Sequence, residues 1–450
     1  MTSRVTVSRE PQAYGLGERH IPSIPGAMTD TTAPPRAGLL PNGMLLVLGI
    51  AVLLNYVDRG NLATAAPLLQ DELSLSSVQI GWLLSAFFWV YAPAQIVAGW
   101  LVHRYDLRIV LAVGVALWSA ATALTGLAGG FASILVLRLL LGVGESVTFP
   151  AWQLILARNT VEHERGRANG FVSAGQGTGP MLGTLLGGLA MAHFGWRAMF
   201  VGLGLVTSLW LLPWFVVTRD WRETSAAPEG RPVTYVAILG QREFWGAALG
   251  QFSINYSFYF VLTWLPTYLV KAGGFSVTAM SGIAAAIYGT YAVTTALAGV
   301  VSDRWIRDGG SPTRVRKTFL LTAAMGSAVA ITACAYVPAS TAAWLLGLTG
   351  VFFGLSTPMI FAVGATLSGP HAAGRWAGAQ NFAGQLAGIA APVVTGLIVD
   401  RTGSFSLAFL VSATAAVLAA LSWGLVIREV APVVWSEDLS PSVAPAPVPM

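Results

Sequence analysis

Charge is what this sequence most conspicuously lacks: Asp, Glu, Lys and Arg supply only 10% of its 450 residues, against roughly 25% in soluble domains. So few charges cannot cover a water-soluble globule of this length. The 55% of hydrophobic residues therefore need a hydrocarbon solvent around them. Cysteine is limited to Cys334, which excludes an intramolecular disulfide. The five histidines, His20, His103, His163, His193 and His371, fall in the N-terminal segment or near the ends of apolar runs. They build no metal cluster and no Ser-His-Asp or Cys-His set, so neither an enzyme nor a metal or cofactor site is expected. The net charge of +5 comes from basic residues scattered between apolar runs. That pattern argues against nucleic acid as a partner. Residues 1–42 hold no apolar core of a signal peptide and are expected to form a disordered cytoplasmic tail.

What is present is apolar sequence in lengths that span a bilayer. Twelve runs fall at about 43–66, 78–102, 109–129, 132–157, 166–193, 197–217, 244–270, 277–301, 316–337, 341–367, 375–399 and 405–428. Twenty of the twenty-five Lys and Arg lie in the tail or in alternate connections, and the opposite connections hold only Arg197, Lys271 and Arg401. That alternation is the positive-inside pattern of an even number of spans with both termini in the cytoplasm. The expected fold is an all-α membrane protein in two pseudo-symmetric six-helix halves, 43–217 and 244–428. A polar cytoplasmic loop, 218–243, joins them, and a Pro-rich disordered tail follows over 429–450. Faint repeats cross the split: "GWLVHRY" at 99–105 against "GVVSDRW" at 299–305, and "ERGRANGF" at 164–171 against "AGRWAGAQNF" at 373–382. Duplicated halves of this kind place a transporter's binding site near the midplane between them.

Four ionisable residues fall well inside expected spans: Asp58, Arg59, Arg138 and Glu145, all in the first and fourth helices. Intramembrane charge is costly and marks a cavity or pathway by default, with structural ion pairs as the alternative. Arg138 and Glu145 are seven residues apart and share a helix face, whereas Asp58 and Arg59 point about 100° apart. We therefore expect Asp58 to turn towards Arg138, leaving Arg59 free for a substrate anion. Glu145, in "GVGESVTFP" with no evident cation beyond Arg138, is the first candidate for a proton carrier, and Asp58 the second. Neutral polar groups at spanning depth, among them Tyr56, Tyr91, Gln176, Asn255, Gln380 and Asn381, suit either a hydroxyl-binding cavity or bonds between helices. The glycine-rich "SAGQGTGPMLGTLLGG" at 173–188 permits close helix approach.

"YVDRGNLATAAP" at 56–67, "RLLLGVGESVTFPA" at 138–151, "ERGRANG" at 164–170, "GWRAMF" at 195–200 and "AGAQNFAG" at 377–384 resemble the major facilitator superfamily, and within it the anion:cation symporter family. The resemblance covers nearly all of 43–428. It implies a proton-coupled symporter of the cytoplasmic membrane that imports an organic carboxylate by alternating access; the two-half architecture needs no partner subunit, so a functional monomer is expected. The cargo would be a sugar acid such as galactonate or glucarate, or an aromatic acid such as phthalate. At matching positions it implies proton coupling by Glu145, Asp58 and Arg138, and substrate contact by Arg59, Tyr56, Tyr91, Gln176 and Asn381. The cytoplasmic gate would lie at His103, Arg104, Asp303 and Arg304. One departure stands out: "GWLVHRYDLR" has His103 where the family carries Asp and Asp106 where it carries Gly. This either weakens the gate or lets Asp106 restore its charge. A proton-driven efflux antiporter of the same fold is the alternative, disfavoured by the two arginines. Both readings keep protons, a small organic anion and the lipid bilayer as partners.

Overall fold

The bilayer forces each apolar run to satisfy its own backbone, which only a helix does within one segment. The computed structural model accordingly has helix as its one regular secondary structure over the residues it describes, 43–159, 162–221 and 233–435. Side chains at 103, 157–158, 162–170, 173 and 370–371 lie outside that description. So do the expected N-terminal tail, 222–232 of the central loop and 436–450 of the C-terminal tail.

In the first half, α1 is Met44–Glu72, α2 Ser77–Arg104, α3 Leu107–Thr125 and α4 Phe131–Leu156. The helix Glu162–Leu209 bends at Gly195, so its arms 162–194 and 196–209 are α5 and α6. In the second half, α7 is Arg242–Thr267, α8 Val277–Arg307 and α9 Pro312–Cys334. A second long helix bends at Gly369 into α10, Ala339–Gly369, and α11, Ala372–Thr402, and α12 is Ser406–Val426. Ten of these segments are long and apolar enough to cross a membrane; one holds both α5 and α6, and α7 with its internal polar residues adds the last, making twelve.

Glycine decides the first-half packing. Gly175, Gly179, Gly183 and Gly187 recur every four residues down one face of α5 and meet Leu53, Tyr56, Val57 and Asn61 of α1. A Cβ at Gly175, Gly179 or Gly183 would stand only 2.5–2.9 Å from α1 atoms. The stripe therefore brings the two backbones together and turns the α1 face bearing Tyr56 and Arg59 in a defined direction. Gly142 does the same for α4 against α2, where a Cβ would lie 2.6 Å from the carbonyl oxygen of Phe87. The "GWRAMF" motif has a structural role of its own. Gly195 adopts φ 80°, which favours glycine. Beside it Trp196 and Arg197 both donate to Glu72 at the end of α1, and Arg197 also bonds the carbonyls of Gly126 and Ala128.

The two halves meet at one end and part at the other. At the closed end, Asp400 of α11 accepts from the backbone N–H groups of Ser77 and Val78, each at 2.9 Å, and so caps α2 from across the interface. Lys271 pairs there with Asp71. Close contacts of Gly81 with Pro392 and of Gly396 with Ser77 continue the seal. Towards the opposite end, a Cβ on Gly99, Gly299, Gly374 or Gly378 would meet open space. The C-terminal segment differs from the expected tail over its first residues. Val433 donates to the carbonyl of Leu367, and buried Trp435 donates to that of Ser368 while its ring meets Trp376 edge-on. These donors satisfy carbonyls at the end of α10, which a helix terminus leaves without partners.

Candidate functional site

Of the four intramembrane charges Asp58, Arg138 and Glu145 are buried and Arg59 nearly so, but they pair differently from the expectation. Arg59 Nε donates to Glu145 Oε2 at 3.0 Å, with the two side chains 8% and 0% exposed. Arg59 is thus not free, and Glu145 has a direct cation. Asp58, 2% exposed, turns to α3 and accepts from Thr122 Oγ1 at 3.1 Å. Arg138 attracts both acids through space but makes no hydrogen bond or ion pair with any described residue. The correction follows from height along the helix. Arg138 and Glu145 share a face of α4, but seven residues separate them by ~10.5 Å along its axis. The one level with Arg59 is Glu145.

Around the Arg59 guanidinium stand three rings, Tyr56, Phe87 and Tyr91, with centroids 4.6, 4.9 and 4.4 Å away. Each is within the reach of a cation–π attraction, and that attraction strengthens where water is excluded. Arg59 Nη2 and Glu145 Oε1 have no hydrogen-bond partner, so each end of the pair retains unused bonding capacity.

Arg59 and Arg138 both line a cavity that is partly open to solvent. Its wall draws on α1, α2, α4 and α5 of the first half and α7 of the second, the placement expected for a site between halves. Aromatic rings cross from one side to the other. Tyr91 stacks on Phe87, Phe87 meets Phe88, Phe88 meets Tyr259 of α7 at 4.8 Å, and Tyr259 meets Phe258.

The residues named from sequence divide clearly. Tyr56 and Tyr91 hold Arg59. Gln176 and Asn381 are half-buried on α5 and α11 and do not line this cavity. Other members of the polar set bond between helices: Gln380 with Gln251 at 2.8 Å, Asn255 with the Gly384 carbonyl, and Tyr259 with Gln385 at 2.7 Å. Arg104, Asp303 and Arg304 are exposed at the open end, and the side chain of His103 lies outside the described residues. Asp106 caps α3 and is bonded by Arg108 through its backbone and guanidinium, so its charge is neutralised locally rather than lent to the gate. The hydrogen bond from Arg108 holds the Asp106 carboxyl below its ordinary pKa. Sequence reading did not single out Phe87, Phe88, Phe258 or Thr122. A phenylalanine facing lipid and one facing a cavity look alike in a sequence.

Residues 48–392 match the family model described as Major Facilitator Superfamily. The chain belongs to the major facilitator superfamily. Membership makes it a multi-pass membrane transporter and not an enzyme. Among its relatives, the hexuronate transporter of Bacillus subtilis is 32% identical, over 87% of this chain and 95% of the relative. A "Probable sulfoacetate transporter" of Cupriavidus necator is 31% identical over 82% and 90%. The D-galactonate transporter of Escherichia coli O6:H1 is 29% identical over 86% and 95%. A crystal structure of a bacterial homologue of the human lysosomal transporter Spinster, inward-facing and occupied, shares the fold. Its TM-score is 0.73 at 20% identity, covering 86% of this chain and 97% of that one. These similarities place the chain with superfamily transporters of the anion:cation symporter type.

Proposed function

We propose that this transporter is a proton-coupled symporter that imports an organic carboxylate across the cytoplasmic membrane, working as a monomer with both termini in the cytoplasm. The observation that carries the reading is the buried Arg59–Glu145 pair on the wall of the cavity between halves. An ionised Glu145 neutralises Arg59. A proton on Glu145 removes that charge, and the cavity wall that bears Arg59 and Arg138 then needs another anion, because an unpaired buried charge is strongly unfavourable. The carboxylate of the cargo is that anion, so proton and cargo load together. Asp58, one carboxylate oxygen of which lacks a partner, is a second proton site, with Arg138 acting on both acids. The relatives named for hexuronate, galactonate and sulfoacetate support the cargo class, since each of those molecules carries a carboxylate.

The positive-inside pattern assigns the closed end, with Asp400 and Lys271, to the outside, and the open end, with His103, Arg104, Asp303 and Arg304, to the cytoplasm. Rocking of one half on the other then exposes the cavity to each side in turn. The test is uptake by proteoliposomes. Symport predicts accumulation of a carboxylate when the outside is made acidic, abolished by a protonophore. Accumulation driven instead by an acidic interior would establish the antiporter.

A further inference from the structure

From the cavity wall we infer that the cargo is an aryl carboxylate, with its carboxylate on Arg138 and its flat body against the aromatic rings that bridge the halves, in place of a polyhydroxy acid. The inference rests on the transport reading and sharpens its substrate class. The cavity has thirteen lining residues, and their chemistry is lopsided. Nine are aliphatic or aromatic, including Phe87, Phe88, Phe258 and Tyr259, and the charged ones are Arg59 and Arg138 alone.

The two cations are not equivalent. Arg59 is held by Glu145 and enclosed by three rings. Arg138 is only 5% exposed, faces the cavity and bonds to no described residue. A buried guanidinium with its fork of donors unused is the strongest carboxylate site on this wall.

A sugar acid brings a run of hydroxyls, each of which has to recover the hydrogen bonds it loses to water. The wall returns few of them. Thr263 already donates to the Tyr259 carbonyl at 2.6 Å and Tyr259 to Gln385. That leaves the Tyr56 hydroxyl as the one lining hydroxyl that donates to no described residue. The amides expected to bind hydroxyls, Gln176 and Asn381, do not line the cavity. An aromatic ring needs no such bonds and gains edge or stacked contact with Phe88, Phe258 and Tyr259.

The experiment measures binding to the purified full-length protein by calorimetry, with phthalate and 4-hydroxybenzoate as aryl probes and glucuronate and galactonate as hydroxylated ones. Counterflow in liposomes follows with the same four compounds. The expected result is affinity for at least one aryl probe about tenfold above both sugar acids, ~1.4 kcal/mol. In Phe88→Leu, or in Phe258→Leu should the first fail to fold, that preference falls to about threefold or less. Arg138→Gln abolishes binding of the aryl probes. Equal or tighter binding of a sugar acid overturns the inference and leaves organic-anion transport standing. Failure of all four to bind or cross overturns the inference together with the carboxylate-import reading on which it rests. An adventitious apolar site predicts unchanged aryl affinity in Arg138→Gln, and that outcome also overturns the proposal.

Discussion

Arg59 and Glu145 meet at 3.0 Å between α1 and α4, both withdrawn from solvent, at a cavity wall shared by the two halves. Removing either partner therefore does more than delete a contact, because it strands a buried charge. Arg59→Ala or Glu145→Ala alone should cost about 3–5 kcal/mol of stability. The double variant should cost clearly less than the sum of the two. Unfolding in detergent, followed across the four proteins, measures the coupling, and simple additivity would show that the pair does not interact.

Glu145→Gln keeps the shape and permanently removes the charge, as a bound proton does. Exchange of cargo across the membrane should persist, whereas accumulation against a gradient should be lost. The two are separated by counterflow and by uptake under an imposed pH gradient. Uphill accumulation in this variant would mean that the proton travels on another residue.

The α5 stripe admits no side chain. Gly179→Leu would force a side chain into Tyr56 Cβ, 2.5 Å from the position of the added Cβ. About 1–3 kcal/mol of destabilisation or more is expected, with a matching fall in melting temperature. Gly99→Leu, where the new Cβ meets nothing within 4 Å, serves as the control and should melt close to the parent protein.

Asp400 bonds two backbone N–H groups at the start of α2 with two oxygens. Asp400→Asn removes the charge and one of the acceptors, a loss of about 1–3 kcal/mol from the closed arrangement of that end. The population should shift by about tenfold towards opening there. A cysteine placed at cavity-lining Leu84 should then react faster with a membrane-impermeant thiol reagent added from outside. An unchanged rate would show that the contact does not control closure.

Asp106, held below its ordinary pKa mainly by the hydrogen bond from Arg108, stabilises the fold in its ionised form. The sign follows from the lowered value: the contribution is complete above the unfolded-state pKa and is lost as pH falls through the folded one. With the carboxyl 43% exposed, solvent screening keeps the electrostatic part at about 0.5 kcal/mol or less. Asp106→Asn should therefore reduce the acid-induced drop in melting temperature slightly, and a pH series of melts will register whether it does.

Much of the architecture follows from the one-dimensional pattern. Run length and the scarcity of charge determine that the chain spans a bilayer, because no other solvent tolerates that composition. The distribution of Lys and Arg determines an even count, and the positions of Asp58, Arg59, Arg138 and Glu145 determine which two helices carry charge at depth. A helical wheel also separates Asp58 from Arg59 correctly, since their angular offset is a property of one helix. Partnership is a different kind of fact. That Arg59 meets Glu145, that Asp58 turns to Thr122, and that Arg138 is left facing the cavity all depend on the rotation and relative height of separate helices. Those are set by where glycines such as Gly142 and Gly179 let backbones touch. The aromatic bridge from Phe87 to Phe258, the bonding of Gln380 and Asn255 between helices, the Asp400 cap on α2 and the docking of Trp435 are decided at the same level. Hydropathy records how apolar a residue is, and only packing records which neighbour it finds.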